Sequence, residues 1–179
     1  TSRAEYRILL RQDNADIRLS KHGHSLGLLN NESYRTVQNK IKETEDLKKS
    51  LQKEGVNPEK ANIYLEKKNS SPIKQKVRLS SLITRPNITM QDVLEMSSDS
   101  KNLAEKLSEE AISQTEIQLK YDGYINREEL VAKKMSRLDS VKIPSDLEYG
   151  KLKNLSAEAK EKLSVVKPST IGQDRKSVV

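Results

Sequence analysis

Residues Glu32–Glu54 read ESYRTVQNKIKETEDLKKSLQKE, and this stretch decides the fold class. Tyr34, Val37, Ile41, Thr44, Lys48 and Leu51 recur at three- and four-residue spacing, with Leu47 alongside and Lys and Glu in the remaining positions. That period is the signature of an amphipathic helix with one narrow apolar stripe. Gly55 ends it. A narrow stripe packs against a neighbouring helix, as in a bundle or coiled coil.

Working outward, the same logic gives further helices. Pro58 can open one running to Lys68, and Asn69-Ser70-Ser71-Pro72 reads as a turn. Leu79–Ile83 is a short apolar patch stopped by Arg85-Pro86. Thr89-Met90-Gln91-Asp92 has the form of a helix start, with a run to Met96. Ser97-Ser98-Asp99-Ser100 reads as a break. The longest helix is expected from about Ser108 to Val141, with Ile117, Tyr121, Tyr124, Val131, Met135 and Leu138 as its inward stripe. Gly123 lies inside it and predicts a kink or a close backbone approach, because glycine there costs about 1 kcal/mol relative to alanine. Ile143-Pro144 ends the helix, and Ser156 caps a last one through Val166, with Ala159, Leu163 and Val166 inward. Towards the start, Asp13 can cap a helix through Leu19, Ser20 can cap the next, and Gly23 and Gly27 are expected stops. Tyr6–Arg11 fits either a buried strand or a helical turn. The predicted architecture is mainly α, an elongated helix bundle with irregular connectors.

Composition narrows the function classes. The chain has 179 residues, with 33% charged and 34% hydrophobic, and no Trp, Phe or Cys, so the core must come from Leu, Ile, Val, Met and six Tyr. Without cysteine there is no disulfide, thiolate zinc site or cysteine nucleophile in these residues. His22 and His24 flank Gly23 and read as surface residues rather than ligands. No apolar run has transmembrane length and no signal peptide is visible, so a cytoplasmic protein is expected. The net charge of +7 fits steering towards nucleic acid or another anionic surface, and fits solubility as well. No glycine-rich phosphate loop, Ser/His/Asp set, HExxH or CxxC is present, and Glu109-Glu110 and Glu128-Glu129 sit in charged helical sequence as solvated faces. No active site assembles from these residues.

Two segments carry binding chemistry. TSRAEYRILLRQDNADIRL (Thr1–Leu19) groups Arg3, Arg7, Arg11 and Arg18 about Asp13, Asn14 and Asp16, with Arg35 further on. Arginine makes planar, two-pronged contacts to phosphate while carboxylates hold its fork in place; an ordinary solvated salt-bridge cluster has the same composition. The second segment, QLKYDGYINR (Gln118–Arg127), combines Lys120, Tyr121, Tyr124 and Arg127. Tyrosines stack on unpaired bases while Lys and Arg meet phosphate. The helical period favours Tyr121 and Tyr124 as core residues and leaves Lys120 and Arg127 outside the stripe.

Four separated segments, TSRAEYRILLRQDNADIRLS, LITRPNITMQDV, EIQLKYDGYINRE and IPSDLEYGKLKNLSAEAKEKLSVVKPSTIGQ, occur in order and resemble the C-terminal part of the MnmG/GidA family. The family is the FAD-containing subunit of the enzyme that builds 5-carboxymethylaminomethyl on the wobble uridine of certain tRNAs. The resemblance implies a bacterial or organellar parent with an FAD domain and an NADH-using insertion preceding Thr1. It also implies a homodimer, a GTPase partner subunit (MnmE) and a methylene-tetrahydrofolate carbon donor. On it, residues 1–19 are the end of the FAD-binding α/β domain and 20–173 a helical domain that binds tRNA and the GTPase subunit. Arg3, Arg7, Arg11 and Arg18, with Lys120, Tyr121, Tyr124 and Arg127, become tRNA-binding residues; Asp13, Asn14, Asp16 and Gly123 become positioning residues. Catalytic and cofactor-binding residues are expected in the preceding part, and the chain, which starts without methionine, is expected to be a fragment. Residues 174–179, DRKSVV, depart from the family pattern and read as non-native, adapter-derived sequence.

Two other readings stand beside this one. A helical protein–protein scaffold without nucleic-acid binding explains the amphipathic helices and uses the charge for solubility. A free-standing coiled-coil adaptor explains the helices but leaves the arginine-rich segment without a role.

Overall fold

The computed structural model describes residues 6–173. The fold is mainly α: helices α1 (Ala15–Ser25), α2 (Asn31–Lys53), α3 (Pro58–Lys67), α4 (Leu79–Leu82), α5 (Met90–Glu95), α6 (Ser98–Ala104), α7 (Glu109–Asp139) and α8 (Ala157–Val166). Two-residue strands β1 (Gly55–Val56) and β2 (Val77–Arg78) pair antiparallel, Gly55 opposite Arg78 and Val56 opposite Val77. The chain forms two compact units that divide after Ile125.

In the first unit α2 is the central element. Its Thr44, Leu47 and Leu51 are buried, as the stripe predicts. Leu47 and Leu51 join Ala61 and Leu65 of α3, Leu79 and Leu82 of α4, Ile83, Ile88, Val93 and Leu119 in one apolar core. None of the tyrosines belongs to that core, Tyr64 only packing against its edge; the one buried tyrosine among the described residues is Tyr149, in the second unit. Asn30 caps α2 through Ser33 N–H at 2.8 Å, and Pro58 opens α3 as expected. Thr89 and Asp92 form a reciprocal capping box at α5.

Several local expectations are corrected. Tyr6–Arg11 is neither strand nor helix but a turn, in which the amides of Leu9 and Leu10 both donate to the Tyr6 carbonyl at 2.9 Å. Ser20 does not start a new helix; it is buried within α1. Gly23 does not stop α1 either. Gly27 does, at φ +72°, with Leu28 N–H donating to Gly23 O at 2.8 Å and Gly27 N–H to His24 O at 3.1 Å. This paired closure satisfies the last carbonyls and needs a residue tolerant of positive φ. Ser97 begins a helix rather than a break: its hydroxyl accepts from Ser100 N–H and caps α6. His24 is half-buried, stacked on Tyr34 with ring centroids 4.4 Å apart.

The buried face of α7 within the first unit is Ala111, Gln114, Thr115 and Leu119, not the stripe through Ile117, Tyr121 and Tyr124. Ala111 and Thr115 are small enough to let α7 lie close against α2. The Thr115 hydroxyl donates to Ala111 O at 2.7 Å and faces Thr44 O at 3.3 Å, and the Thr44 hydroxyl lies 3.5 Å from Ala111 O. The second unit is held by buried Ala159 and Leu163 of α8 and by Tyr149. Val166, expected inward, is 53% exposed. A bridge joins Lys142 to Thr170, and a side chain at Gly172 would come within 2.9 Å of the Asp139 carbonyl, so this position needs glycine.

Glu54, just past α2, ties it to α6. Its carboxylate accepts hydrogen bonds from the hydroxyls of Ser50 (2.7 Å), Ser100 (2.9 Å) and Ser97. Burial works to raise its pKa, but the Ser97, Ser50 and Ser100 bonds prevail and hold it below the ordinary value. The stability this contributes is complete above the unfolded-state value of about 4.3 and is lost as pH falls through the lower folded value. Glu54→Gln is expected to cost roughly 1–3 kcal/mol near neutral pH and to flatten stability against pH below about 4.3; urea melts of both proteins across that range measure it.

Candidate nucleic-acid interface

The arginine-rich segment folds onto the start of α1 through its own carboxylates and amides. Arg11 donates from Nε to Asp13 Oδ1 at 2.9 Å and from the second prong to Oδ2 at 3.1 Å, while its remaining nitrogen reaches Ile8 O at 2.6 Å. Asn14 accepts from Arg18 Nε at 2.8 Å and donates to Leu9 O at 2.9 Å. Asp16 accepts from Lys40 Nζ of α2 at 2.9 Å, which ties the segment to the bundle. The Asp13 carboxyl is held below its ordinary pKa by the Arg11 hydrogen bond, which with the Arg11 charge and a smaller contribution from Gln114 outweighs burial. The Gln114 amide nitrogen itself is buried without a hydrogen bond. Burial works to lower the Lys40 pKa, but the hydrogen bond and charge of Asp16, with Glu110, raise it.

The second segment lies on α7 and meets the first. The Arg11 guanidinium carbon is 6.0 Å from the centroid of the Tyr121 ring, within reach of a cation–π contact. Tyr121 and Tyr124 are 46% and 58% exposed, which overturns their assignment to the core. Their rings are 6.4 Å apart and tilted by 54°. Lys120 donates to Glu116 at 2.6 Å, and Glu116 also accepts from Met90 N–H at 3.1 Å. Arg7 and Arg35 are exposed, and Arg127 is exposed in the second unit. Arg3 lies outside the described residues, as do residues 174–179.

Gly123 makes no close approach. A Cβ built there meets nothing within 4 Å, and α7 runs on through Asp139. The glycine instead opens onto a groove of about 670 Å³ whose walls include Arg78, Ser80, Ser81 and Thr84 from the β2–α4 corner and Lys120 and Tyr124 from α7. The β2–α4 residues were not singled out from sequence. Their only trace there is a basic, hydroxyl-rich run, VRLSSLITR, around a short apolar patch. Lys48, which bonds Asp122 of the groove wall at 3.1 Å, was read as part of the helical stripe.

Among the described residues no group of three or more His, Asp or Glu could hold a metal, and no helix is long and apolar enough to cross a membrane. Nor do they fit a flavin dinucleotide, which needs a glycine-rich turn at a helix N-terminus for its pyrophosphate; Gly23, Gly27, Gly55, Gly123, Gly150 and Gly172 are scattered singly.

Residues 31–129 match the family model for the tRNA modifying enzyme MnmG/GidA C-terminal helical domain, and residues 131–176 match that for the MnmG/GidA C-terminal helical bundle. The chain belongs to the MnmG/GidA family. It is 46% identical over 174 residues to the tRNA uridine 5-carboxymethylaminomethyl modification enzyme MnmG of Christiangramia forsetii, and 44% identical over 173 residues to that of Cytophaga hutchinsonii. Each match covers 97% of this chain and 28% of the relative, so the chain spans little more than a quarter of their length. Among solved structures it is similar to Aquifex aeolicus GidA in its form II crystal, with a TM-score of 0.61 and 34% identity over 97% of this chain and 26% of that one.

Because no atom of the described residues lies within 4 Å of a Cβ at Gly123, its backbone cost is not offset by packing. Gly123→Ala is expected to stabilise the first unit by roughly 0.5–1 kcal/mol, read as a higher midpoint in thermal or urea unfolding.

Proposed function

We propose that this chain is the tRNA-holding and partner-docking part of a tRNA-modifying MnmG-type flavoenzyme. The single observation that supports it best is the meeting of the two basic segments: an Arg11 fork held by Asp13 stands beside the exposed Tyr121 ring, with Tyr124 and Lys120 on the same helix. A guanidinium preset by a carboxylate loses less freedom on meeting a phosphate, and exposed tyrosines offer faces to unpaired bases. Arg7 and Arg18 extend the positive surface of the first unit for the anticodon stem, with Asn14 fixing Arg18 and Asp16 fixing the segment through Lys40; Arg127 of the second unit belongs to the set on the sequence pattern alone. Arg3 belongs to the same set on the sequence pattern alone.

In the whole enzyme the chemistry lies in the preceding part, where FAD is bound and NADH reduces it. The product is 5-carboxymethylaminomethyl on the wobble uridine, made in the bacterial cytoplasm by a homodimer working with the MnmE-type GTPase subunit and a methylene-tetrahydrofolate carbon donor. The chain alone is then not catalytic.

A second reading, a helical protein–protein scaffold, draws on the second unit. There Leu130 is 68%, Val131 47% and Val165 80% exposed, apolar side chains available to a protein partner. On this reading the chain meets a protein partner, binds no nucleic acid and uses its charge for solubility. Competition between tRNA and the GTPase subunit for the chain separates them.

In the full-length enzyme, Arg11→Ala and Lys120→Ala are each expected to lower tRNA affinity, by about 1 kcal/mol or more for Arg11, and to reduce the salt dependence by about one phosphate contact, with FAD retained. Filter binding at low salt, with the flavin absorbance as control, measures both. Unchanged tRNA binding in both variants rejects the reading.

A further inference from the structure

We propose that the groove between α7 and the β2–α4 corner is a binding site for one unpaired ribonucleotide, with Tyr124 as the stacking face, Arg78 as the phosphate contact and Ser81 and Thr84 as readers of the sugar or base. The inference rests on the reading of the first unit as an RNA-holding surface; it shares α7 with that reading and adds to it the β2–α4 corner, which that reading does not use.

Four observations carry it. First, the volume of about 670 Å³ falls within the ~300–1,000 Å³ usual for sites that hold one small organic group. Second, Gly123 sits in the middle of a continuous helix with nothing within 4 Å of where its side chain would be. A glycine that costs helix stability and relieves no contact within the chain keeps room for something outside it.

Third, the hydroxyls are polarised one way. Ser81 Oγ donates to Arg78 O at 2.7 Å and Thr84 Oγ1 donates to Ser81 O at 2.9 Å. With their protons committed, both oxygens present lone pairs only, which suit a donor such as a ribose 2′-hydroxyl or a base N–H rather than a phosphate. Fourth, the charges divide the groove. Lys120 is paired with Glu116 and Asp122 with Lys48, so those two walls are close to neutral. Arg78 uses one nitrogen on the Gln52 carbonyl and pairs with no carboxylate among the described ion pairs, so its remaining N–H donors give the groove its positive end. An anionic group at Arg78, a flat ring on Tyr124 and a hydrogen-bond donor at Ser81 and Thr84 together describe a nucleotide, and a ribose 2′-hydroxyl as that donor is what selects RNA over DNA.

The test is fluorescence anisotropy of the full 179-residue chain with a short labelled single-stranded RNA and its DNA counterpart at low salt. Gly123→Leu places a side chain at the mouth of the groove from a position whose Cβ has open space around it, and is expected to weaken RNA binding about tenfold, as is Tyr124→Ala through lost stacking. Thr84→Val is expected to narrow the preference for RNA over DNA, and Arg11→Ala to weaken both alike. Circular dichroism melts of Gly123→Leu at or above the wild-type midpoint exclude misfolding as the cause. If Arg11→Ala weakens binding while Gly123→Leu and Tyr124→Ala leave it unchanged, the groove proposal is overturned and the wider interface stands. If no variant, Arg11→Ala included, changes binding, or the chain binds no RNA, both are overturned. If Gly123→Leu instead impairs capture of the GTPase subunit with RNA affinity intact, the groove serves a protein and the proposal also fails.

Discussion

The contact between Thr44 and the Ala111–Thr115 turn sets the geometry of the first unit. Small side chains let two helix backbones approach, and each threonine hydroxyl turns its polar group towards a carbonyl of the facing helix or of its own preceding turn. A larger apolar residue at 111 or 115 would push α7 away from α2. From this crossing the next turns follow by helix periodicity: Leu119 enters the apolar core, Asp122 reaches Lys48, and Tyr121 comes within reach of Arg11. The surface chemistry of the KYDGY segment therefore depends on a buried contact several residues earlier in the same helix.

The same helix α2 explains why two segments far apart in sequence become neighbours. Its successive turns hold different partners: Lys40 binds Asp16 of α1, Thr44 faces α7, Leu47 and Leu51 fill the core, and Ser50 with Glu54 meets Ser97 and Ser100 at α6. Lys40 is the informative case. Partial burial disfavours its charge, yet Asp16 and Glu110 keep it more strongly protonated than a free lysine. The Lys40–Asp16 pair links α2 to α1 at one register. In this fold the register matters because it fixes where the Arg11 fork stands.

How much of this was legible in the sequence depends on which residues carry each feature. The boundaries of α2 and α3, the Thr89–Asp92 box and the end of α1 at Gly27 follow from apolar period, proline, capping residues and a glycine at positive φ, all of which leave local marks. The buried face of α7 left none. Ala111, Gln114 and Thr115 are small or polar, so a search for large apolar residues selected the adjacent stripe and placed Tyr121 and Tyr124 inside. Ser20 and Ser97 exchanged roles for the same reason: serine caps helices and also tolerates burial within them, and only the tertiary surroundings decide. The strands are two residues long and have no period to detect. Arg11, Asp13 and Tyr121 could each be picked out, but their meeting required the α2–α7 crossing.

The misplaced stripe has a consequence for function. α7 buries Leu119 beside the small Ala111 and Thr115 but leaves Tyr121 and Tyr124 exposed, which forgoes the hydrophobic stabilisation that burial of those two rings would have supplied. Such a cost is retained where the exposed rings serve something outside the fold. On α7 the exposed rings coincide with the one interior glycine, with a lysine braced by Glu116, and with the Arg11 fork braced by Asp13. Each of these alone is ordinary surface chemistry. Together, on two turns of α7 and the Arg11 segment beside it, they form the face that the proposed RNA-holding role uses: rings for stacking, braced cations for phosphate and open space at Gly123.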